Sequence, residues 1–340
     1  MPNVDVIGVP LDPDERESVV RIKNDPVARS ELRFHEPYSA LVDKLKFDKK
    51  THGNFPVEPW LTSFPSEEEL FMCTVENFVA FIDSDGCWEY TELVRRYMEE
   101  KIGDNRSLML AVDHSVACAS MIRASEIYGK DDYGLIIFDS HFDGILPTHR
   151  CDLIQYDLEM NPDTRFSRDD PFLYNRGESF NADSFLFKMI DENYINPENV
   201  IVVGVSDYPS TISNIDDERI SRFVDFYHSY EEKGIKIITK DKLRANKKFF
   251  DPSMLETKNI HVSMDIDVGS RNAIYGARFI DYKGLSSNEI FYLLQKILDT
   301  KKRIVSADIC EIDVWKAGKK FFGKQDRTYE VAAKIANMLF

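Results

Sequence analysis

The stretch that most constrains the fold is Gly134 to Gly144, which reads Gly-Leu-Ile-Ile-Phe-Asp-Ser-His-Phe-Asp-Gly. Its unbroken apolar run, Leu135 to Phe138, predicts a strand buried on both faces of a parallel sheet. Asp139, His141 and Asp143 follow at alternate positions, so an extended chain places all three side chains on one side. Open α/β sheets bind ligands just beyond the C-terminal ends of their strands, which is where these three side chains lie. The stretch therefore indicates a divalent metal site.

Taken alone, the same stretch also fits an ordinary strand end. Asp and Ser commonly follow strands, a single His there can be a hydrogen-bonded turn residue, and short motifs often match by chance. The metal hypothesis therefore needs support from other parts of the chain.

Three further predicted strands end in the same kind of residue. Ser107–Val112 is followed by Asp113 and His114, Asn259–Met264 by Asp265 and Asp267, and Arg303–Ile309 contains Asp308 and leads to Glu311. The C-terminal ends of parallel strands share one edge, so residues far apart in sequence can meet in one crevice.

The candidate ligands are two imidazoles and four carboxylates: His114, Asp139, His141, Asp143, Asp265 and Asp267. One buried site does not tolerate so much negative charge without cations, and two divalent ions would neutralise it. Nitrogen and oxygen ligands without thiolate suit manganese, while zinc, iron, cobalt or nickel would also fit.

Strand and helix patterns alternate along the chain, which predicts a single three-layer α/β/α domain over residues 1–340, with a mostly parallel sheet of about eight strands. Residues 48–66 are expected to form a polar connector, and Leu70–Val75 a strand. Residues 144–182 are polar and too long for an ordinary connection, so we predict an active-site insertion there. Ser286 and Glu289 predict a capping box before a helix over Ser287–Leu298.

Composition excludes several classes of function. The chain of 340 residues has a formal net charge of -16, which disfavours nonspecific binding to nucleic acid or to an anionic membrane. No run of 18 apolar residues and no signal-peptide pattern occur. The five scattered cysteines form no Cys-x-x-Cys pair and predict neither a disulfide framework nor a zinc ribbon. We therefore expect a cytoplasmic protein.

Three segments resemble the metal-binding signatures of the ureohydrolases, the arginase and agmatinase superfamily. Asp113-His114-Ser115, Asp139-Ser-His-Phe-Asp143 and Ser263-Met-Asp-Ile-Asp267 match Gly-Gly-Asp-His-Ser, Asp-Ala-His-x-Asp and Ser-x-Asp-x-Asp in the family's order. The resemblance covers most of the chain, since it extends to Val6–Pro10 near the start and to Asp308-x-x-Glu311 near the end. It implies an arginase-like fold.

The resemblance also implies a reaction. The first of two manganese ions would be held by His114, Asp139, Asp143 and Asp265, and the second by His141, Asp139, Asp265 and Asp267. Such a pair lowers the pKa of a shared water, and the metal-bridging hydroxide would attack a guanidino or amidino carbon, releasing urea and an amine. Asp143 would hydrogen-bond the hydroxide, and Glu311 would hold the guanidinium in a charge-assisted, potentially bidentate contact. The family usually assembles into trimers or hexamers, so a homo-oligomer is expected.

Departures from the family pattern affect the pocket more than the metals. Arg176-Gly177 lies where the family has a proton-shuttling His-Gly, and an arginine cannot shuttle protons at neutral pH. His149 is the substitute candidate for the shuttle, although it could equally be a surface loop residue. Pro209 replaces an acid that helps arginases bind the α-amino group of their substrate, which disfavours a true arginase.

Other functions stay open at this point. Formimidoylglutamate hydrolysis, with attack on a formimino carbon, is a related reaction, and a metal-binding protein without catalysis is a second class. Four arginines in the insertion could bind a carboxylate-bearing substrate and so favour an acidic guanidino compound over agmatine, or could simply be solvated: Arg150, Arg165, Arg168 and Arg176. His261 is expected to be a hydrogen-bonded core residue.

Overall fold

The computed structural model describes residues 4–173, 176–321 and 323–340. Its main sheet has eight strands in the order β2-β1-β3-β8-β7-β4-β5-β6, and every neighbouring pair in it is parallel. The strands are β1 (Val4–Val9), β2 (Lys49–Asn54), β3 (Ser107–Ala111), β4 (Tyr133–Phe138), β5 (Val200–Val205), β6 (Lys236–Thr239), β7 (Asn259–Asp265) and β8 (Arg303–Cys310). The predicted fold class is confirmed.

Helices cover both faces of this sheet. They are α1 (Glu17–Lys23), α2 (Pro26–Ser30), α3 (Pro37–Leu41), α4 (Val75–Asp83), α5 (Gly86–Lys101), α6 (Cys118–Tyr128), α7 (Pro147–Met160), α8 (Phe185–Asp191), α9 (Glu218–Glu232), α10 (Lys240–Ala245), α11 (Ser287–Asp299) and α12 (Thr328–Leu339). Helices α4, α5, α6, α8 and α9 contribute to one hydrophobic core, and α3, α10, α11 and α12 to the other. Strand residues alternate between the cores, and this double burial explains the unbroken apolar runs.

The two central strands β7 and β8 depart from this apolar pattern on one face. His261 pairs in register with Ser306, and Ser263 pairs with Asp308. His261 Nδ1 lies 2.7 Å from Ser306 Oγ, and His261 Nε2 lies 2.6 Å from Asp308 Oδ2. Ser263 Oγ donates to Asp308 Oδ1 at 2.9 Å. His261 is therefore a hydrogen-bonded core residue, as predicted.

Two local predictions about the first hundred residues are wrong. The expected connector at residues 48–66 contains strand β2, whose side chains are polar and partly exposed. An edge strand needs main-chain pairing rather than apolar side chains, and His52 holds β2 to β1 through Asp5, at 2.5 Å. The expected strand Leu70–Val75 is instead the end of a short 3₁₀ helix, Glu67–Met72, and the start of α4, which is capped by Thr74.

Residues 144–182 are not irregular throughout, because they contain helix α7 of 14 residues. The apolar side chains of α7 are spread around the helix rather than gathered on one face, so its amphipathic pattern is weak. Ion pairs and a ring contact hold α7 to α9: Arg219 lies 2.9 Å from Glu159, Arg222 lies 3.0 Å from Asp152, and His149 stacks on Phe226. The helix therefore lacks the apolar stripe that a search for apolar periodicity detects.

No helix within the described ranges is long and apolar enough to cross a membrane. All five cysteines are buried and free.

The capping box at the start of α11 is confirmed and makes a stability prediction. Ser286 Oγ accepts the Glu289 N–H at 3.3 Å, and the Glu289 carboxylate accepts the Ser286 N–H at 2.8 Å. We expect Ser286→Ala to reduce the free energy of unfolding by about 1 kcal/mol, because a helix-terminal N–H loses its acceptor. The shift of the urea midpoint of the metal-free protein measures this loss.

Ser287→Ala is the matched control, because it removes the hydroxyl of the first helical residue and leaves the box intact. Equal shifts for the two variants would contradict the capping role of Ser286.

Candidate metal centre

The strands that carry the predicted site are the four central ones, β3, β8, β7 and β4, which are consecutive in the sheet. Phe138 is level with Met264, and Asp265 is level with Cys310. The residues that follow these positions therefore emerge side by side at one edge. This is the crevice at the C-terminal strand ends that the sequence predicts.

Each of three strand ends is turned by an aspartate that accepts a backbone N–H two residues later. The acceptor–donor pairs are Asp113 Oδ1 with Ser115 N at 3.0 Å, Asp139 Oδ1 with His141 N at 2.7 Å, and Asp265 Oδ1 with Asp267 N at 2.7 Å. Such Asx turns use one carboxylate oxygen and fix the direction of the other. The second oxygens of Asp139 and Asp265 thereby face His114 Nδ1, at 3.5 Å and 3.4 Å.

A first group of side chains that could hold a metal ion comprises His114, Asp139, Asp143 and Asp265, whose ligand atoms lie within 4.8 Å of one another. His114 Nδ1 is 2.9 Å from Asp143 Oδ2, 3.4 Å from Asp265 Oδ2 and 3.5 Å from Asp139 Oδ2. The other ring nitrogen, Nε2, is 2.9 Å from Ser263 Oγ. The serine therefore orients the ring so that Nδ1 faces the carboxylates.

A second group comprises Asp139, His141 and Asp267. His141 Nδ1 lies 2.7 Å from Asp267 Oδ2 and 3.8 Å from Asp139 Oδ1. Asp139 belongs to both groups, whereas Asp265 is grouped only with the first. The structure thus brings together all six residues predicted as metal ligands, with Asp139 at the junction.

The buried carboxylates of the two groups repel one another, and added positive charge would stabilise them. Burial raises the pKa of Asp139 well above its usual value, and the charges of Asp143, Asp265 and Asp267 raise it further. Burial disfavours protonation of His114, but hydrogen bonds to Asp139, Asp143 and Asp265 outweigh it and raise the imidazole pKa well above its usual value. Carboxylates this close are stable only beside cations.

The surroundings of two buried oxygens point to the same conclusion. Asp139 Oδ2 and Asp267 Oδ2 face imidazole nitrogens of other candidate ligands, His114 Nδ1 at 3.5 Å and His141 Nδ1 at 2.7 Å, and have no other donor. A ring nitrogen that binds a metal carries no proton, so a divalent cation between nitrogen and oxygen would satisfy both atoms. The residues therefore fit a pair of divalent ions with nitrogen and oxygen ligands.

A third group of potential ligands, His114, Asp308 and Cys310, has a different role. Asp308 already accepts from Ser263 and lies 2.6 Å from His261 Nε2, and Cys310 Sγ donates to it at 3.3 Å. Its carboxylate is saturated, so it orients His114 through Ser263 rather than offering a free ligand. The alternating polar residues of β7 and β8 were the signal for this network.

Glu311, the predicted guanidinium-binding residue, is already engaged through one oxygen. Its Oε1 accepts from the His114 backbone N–H at 2.9 Å and from Arg278 Nη1 at 3.3 Å. Its Oε2 is buried and accepts no hydrogen bond. Only one oxygen is therefore available to a substrate, and a bidentate contact would require Arg278 to leave. Glu311 also has a φ of 65°, a conformation that a non-glycine residue adopts at some energetic cost.

Arg278 is the functional residue that sequence reasoning missed, since it belongs to no recognised motif. Its guanidinium is buried, 3.0 Å from Asp113 and close to two acids from the loop after β1, Asp12 at 3.5 Å and Asp14 at 3.4 Å. Burial disfavours its charge, but Glu311 and these acids outweigh it and raise the pKa of Arg278 well above its usual value. It stays a fixed cation beside Glu311.

A cavity of about 280 Å³ lies next to Arg278 and Asp113. One face of α7 lines it, through Pro147, Arg150, Cys151 and Ile154. His149 is not on that face: its ring stacks on Phe226 of α9 with centroids 4.1 Å apart. Burial lowers the pKa of His149. The structure therefore does not bring the predicted proton shuttle to the cavity.

Comparison with known proteins agrees with this geometry. A sequence model of the arginase family matches residues 4–340. The comparison with curated protein sequences found no match.

Solved structures of the same fold are similar at low sequence identity. Proclavaminate amidino hydrolase from Streptomyces clavuligerus is 16% identical with a TM-score of 0.57, over 100% of this chain and 90% of that one. Arginase from Bacillus caldovelox is 19% identical with a TM-score of 0.57, over 100% and 98%. Formimidoylglutamase from Bacillus subtilis is 16% identical with a TM-score of 0.56, over 100% and 86%.

These identities show the fold alone, whereas the sequence match over residues 4–340 shows the family. The chain belongs to the arginase family, whose members are metal-dependent hydrolases of amidino C–N bonds.

Proposed function

We propose that this protein is a hydrolase that uses two manganese ions to cleave a small guanidino or amidino compound into urea and an amine. The observation that carries the proposal is the convergence of six nitrogen and oxygen ligands around two buried carboxylate oxygens that have no donor other than the imidazoles of His114 and His141. Structure alone rarely requires so charged a buried cluster.

His114, Asp139, Asp143 and Asp265 would hold one ion, and His141, Asp139 and Asp267 the other, with Asp265 as a second bridge. When bound, such a pair lowers the pKa of a shared water so that a nucleophile is available near neutral pH. Asp143 would orient that water by accepting its proton in a hydrogen bond. His114 would be kept in its working orientation by Ser263, which lies 2.9 Å from Nε2.

Glu311 would orient the substrate. Its free Oε2 would accept an N–H of the amidino group, while Arg278 and the His114 N–H hold Oε1 in place. A charge-assisted hydrogen bond of this kind fixes the reacting carbon relative to the metal ligands. The conformational cost at Glu311 is consistent with a residue held for function.

One observation favours a second candidate, the hydrolysis of a formimino compound. Because Glu311 has a single free oxygen, it suits a group that presents one N–H as well as it suits a guanidinium. Formamide instead of urea would be the product. A binding protein without catalysis is less well supported, because residues of the 144–182 segment line an open cavity rather than fill it. A cytoplasmic location and a trimeric or hexameric assembly stay predictions from the sequence.

A urea assay on the manganese-loaded protein tests the proposal. The substrates are arginine, agmatine, guanidinobutyrate, guanidinopropionate and guanidine. We expect urea from at least one of them and a loss of more than about a hundredfold in kcat/KM for Asp143→Asn, because a metal ligand is lost. The control is Asp131→Asn. Asp131 is an exposed residue just before the N-terminal end of β4, away from the candidate site, and the variant should keep full activity.

Silence across this panel from protein with its full complement of metal would overturn the guanidino substrate. Release of formamide from formimidoylglutamate would then select the second candidate. If formimidoylglutamate is not hydrolysed either, the hypothesis of a metal-binding protein without catalysis would remain.

Replacing the shared ligand Asp139 by asparagine should shift thermal stability in opposite directions with and without metal. Without metal, Asp139→Asn relieves carboxylate repulsion, so the unfolding midpoint should rise or stay unchanged. With manganese at about a hundred times its dissociation constant, wild type should gain about 2.7 kcal/mol for each ion bound. The variant should lose most of that gain.

Differential scanning calorimetry in chelator and in manganese measures both shifts, with Asp131→Asn as the control. An equal drop for Asp139→Asn under both conditions would mean that Asp139 is only a structural residue.

A further inference from the structure

We infer that the substrate carries a carboxylate at the end remote from the reacting carbon, and that Arg150 of α7 binds it. The inference rests on the proposed function, since it names the substrate class of the same site. It makes Arg150 a specificity-determining residue of this chain.

The position of Arg150 follows from helix geometry. Pro147, Arg150, Cys151 and Ile154 have the spacing of one helical face, and all four line the cavity. The cavity wall also includes Asp113 and Arg278, and Arg278 lies 3.3 Å from Glu311. Arg150 thus faces a cavity whose wall contains a direct neighbour of Glu311.

The guanidinium of Arg150 has unused donors. Among the described residues, its side chain donates only from Nε, to Asp183 Oδ2 at 3.1 Å. The side chain is 31% exposed, so both Nη atoms are open to the cavity. Two parallel N–H donors on a planar fork match the two oxygens of a carboxylate.

The charges around the cavity favour an anion over a cation. Arginines outnumber acids among the lining residues, which include Arg16, Arg150, Arg176 and Arg278 against Glu15, Asp113 and Asp183. Each of these acids already faces an arginine: Asp113 faces Arg278 at 3.0 Å, Asp183 faces Arg150 at 3.1 Å, and Glu15 faces Arg176 at 3.5 Å. An ammonium group would therefore find no unpaired acid. Arg16, Arg176 and Arg278 are paired with acids in turn. A bound anion would therefore be met by Arg150, whose Nη atoms have no acceptor among the described residues.

The reacting end of the pocket leaves the tail of the substrate to decide between candidates. Arg278 lies 3.3 Å from Glu311 and partly neutralises the carboxylate that would attract a cationic head group. Agmatine and a guanidino acid present the same guanidinium to Glu311, so they differ only at the remote end. There the ammonium group of agmatine would meet the positive charge of Arg150, whereas the carboxylate of a guanidino acid would pair with it.

Arg165 provides a matched comparison within the same segment. It is 72% exposed and pairs with Asp281 at 3.3 Å on the surface, and it does not line the cavity. Both arginines belong to the segment that the sequence marks as an insertion, and only Arg150 faces the pocket.

The test compares the affinities of the manganese-loaded full chain for three compounds of similar length: 4-guanidinobutyrate, butylguanidine and agmatine. The affinity is the Michaelis constant from initial rates of urea release, or the calorimetric dissociation constant for a compound that is not turned over. We expect wild type to bind guanidinobutyrate about tenfold to a hundredfold more tightly than butylguanidine, and agmatine most weakly. Arg150→Ala should abolish the preference for the acid and leave butylguanidine affinity and manganese content unchanged. Arg150→Lys should restore part of the preference, and Arg165→Ala should behave as wild type.

Two results would overturn the inference: no preference for the acid in wild type at millimolar concentrations, or a preference that survives Arg150→Ala. Urea release from butylguanidine, which lacks a charged tail, tests the proposed function separately. Turnover of butylguanidine or agmatine without a preference for the acid would keep the reaction and reject the role of Arg150.

Discussion

The repulsion among buried carboxylates at the edge of the sheet is the constraint on which the site depends. Asp139, Asp143, Asp265 and Asp267 come from β4, β7 and the turns that follow them, and these two strands are neighbours in the sheet, so their ends lie side by side. Burial and mutual repulsion make these negative charges unfavourable unless cations are bound. The fold therefore supplies a site whose own electrostatics select positive charge.

His114 connects this cluster to the interior of the protein. Its Nδ1 faces the carboxylates, its Nε2 contacts Ser263, and its backbone N–H fixes Glu311. Behind Ser263, Asp308 and His261 continue the chain of polar contacts between β7 and β8. A substitution deep in the sheet can therefore alter the orientations of the His114 ring and of the Glu311 carboxylate together.

The sequence specified the parts of this arrangement that depend on strand periodicity. Apolar runs fixed the buried strands, and the period of two placed Asp139, His141 and Asp143 together. The sequence could not specify β2. Main-chain pairing holds this edge strand, so its side chains are polar and show no pattern of buried apolar residues. Helix α7 was missed for a related reason, since its apolar side chains are spread around the helix and ion pairs supplement its contact with α9. Because the sequence did not predict this helix, it could not show that the adjacent residues His149 and Arg150 lie on different faces of it. The contact between Arg278 and Glu311 joins distant parts of the chain, and no local sequence pattern predicts it.

We propose that this strand-end cluster binds two divalent ions, and anomalous diffraction from crystals of the manganese-loaded protein is the direct test. We expect two peaks per chain, one against His114 and Asp143 and the other against His141 and Asp267, with Asp139 between them. A single peak, no peak, or peaks away from these side chains would contradict a site for two ions.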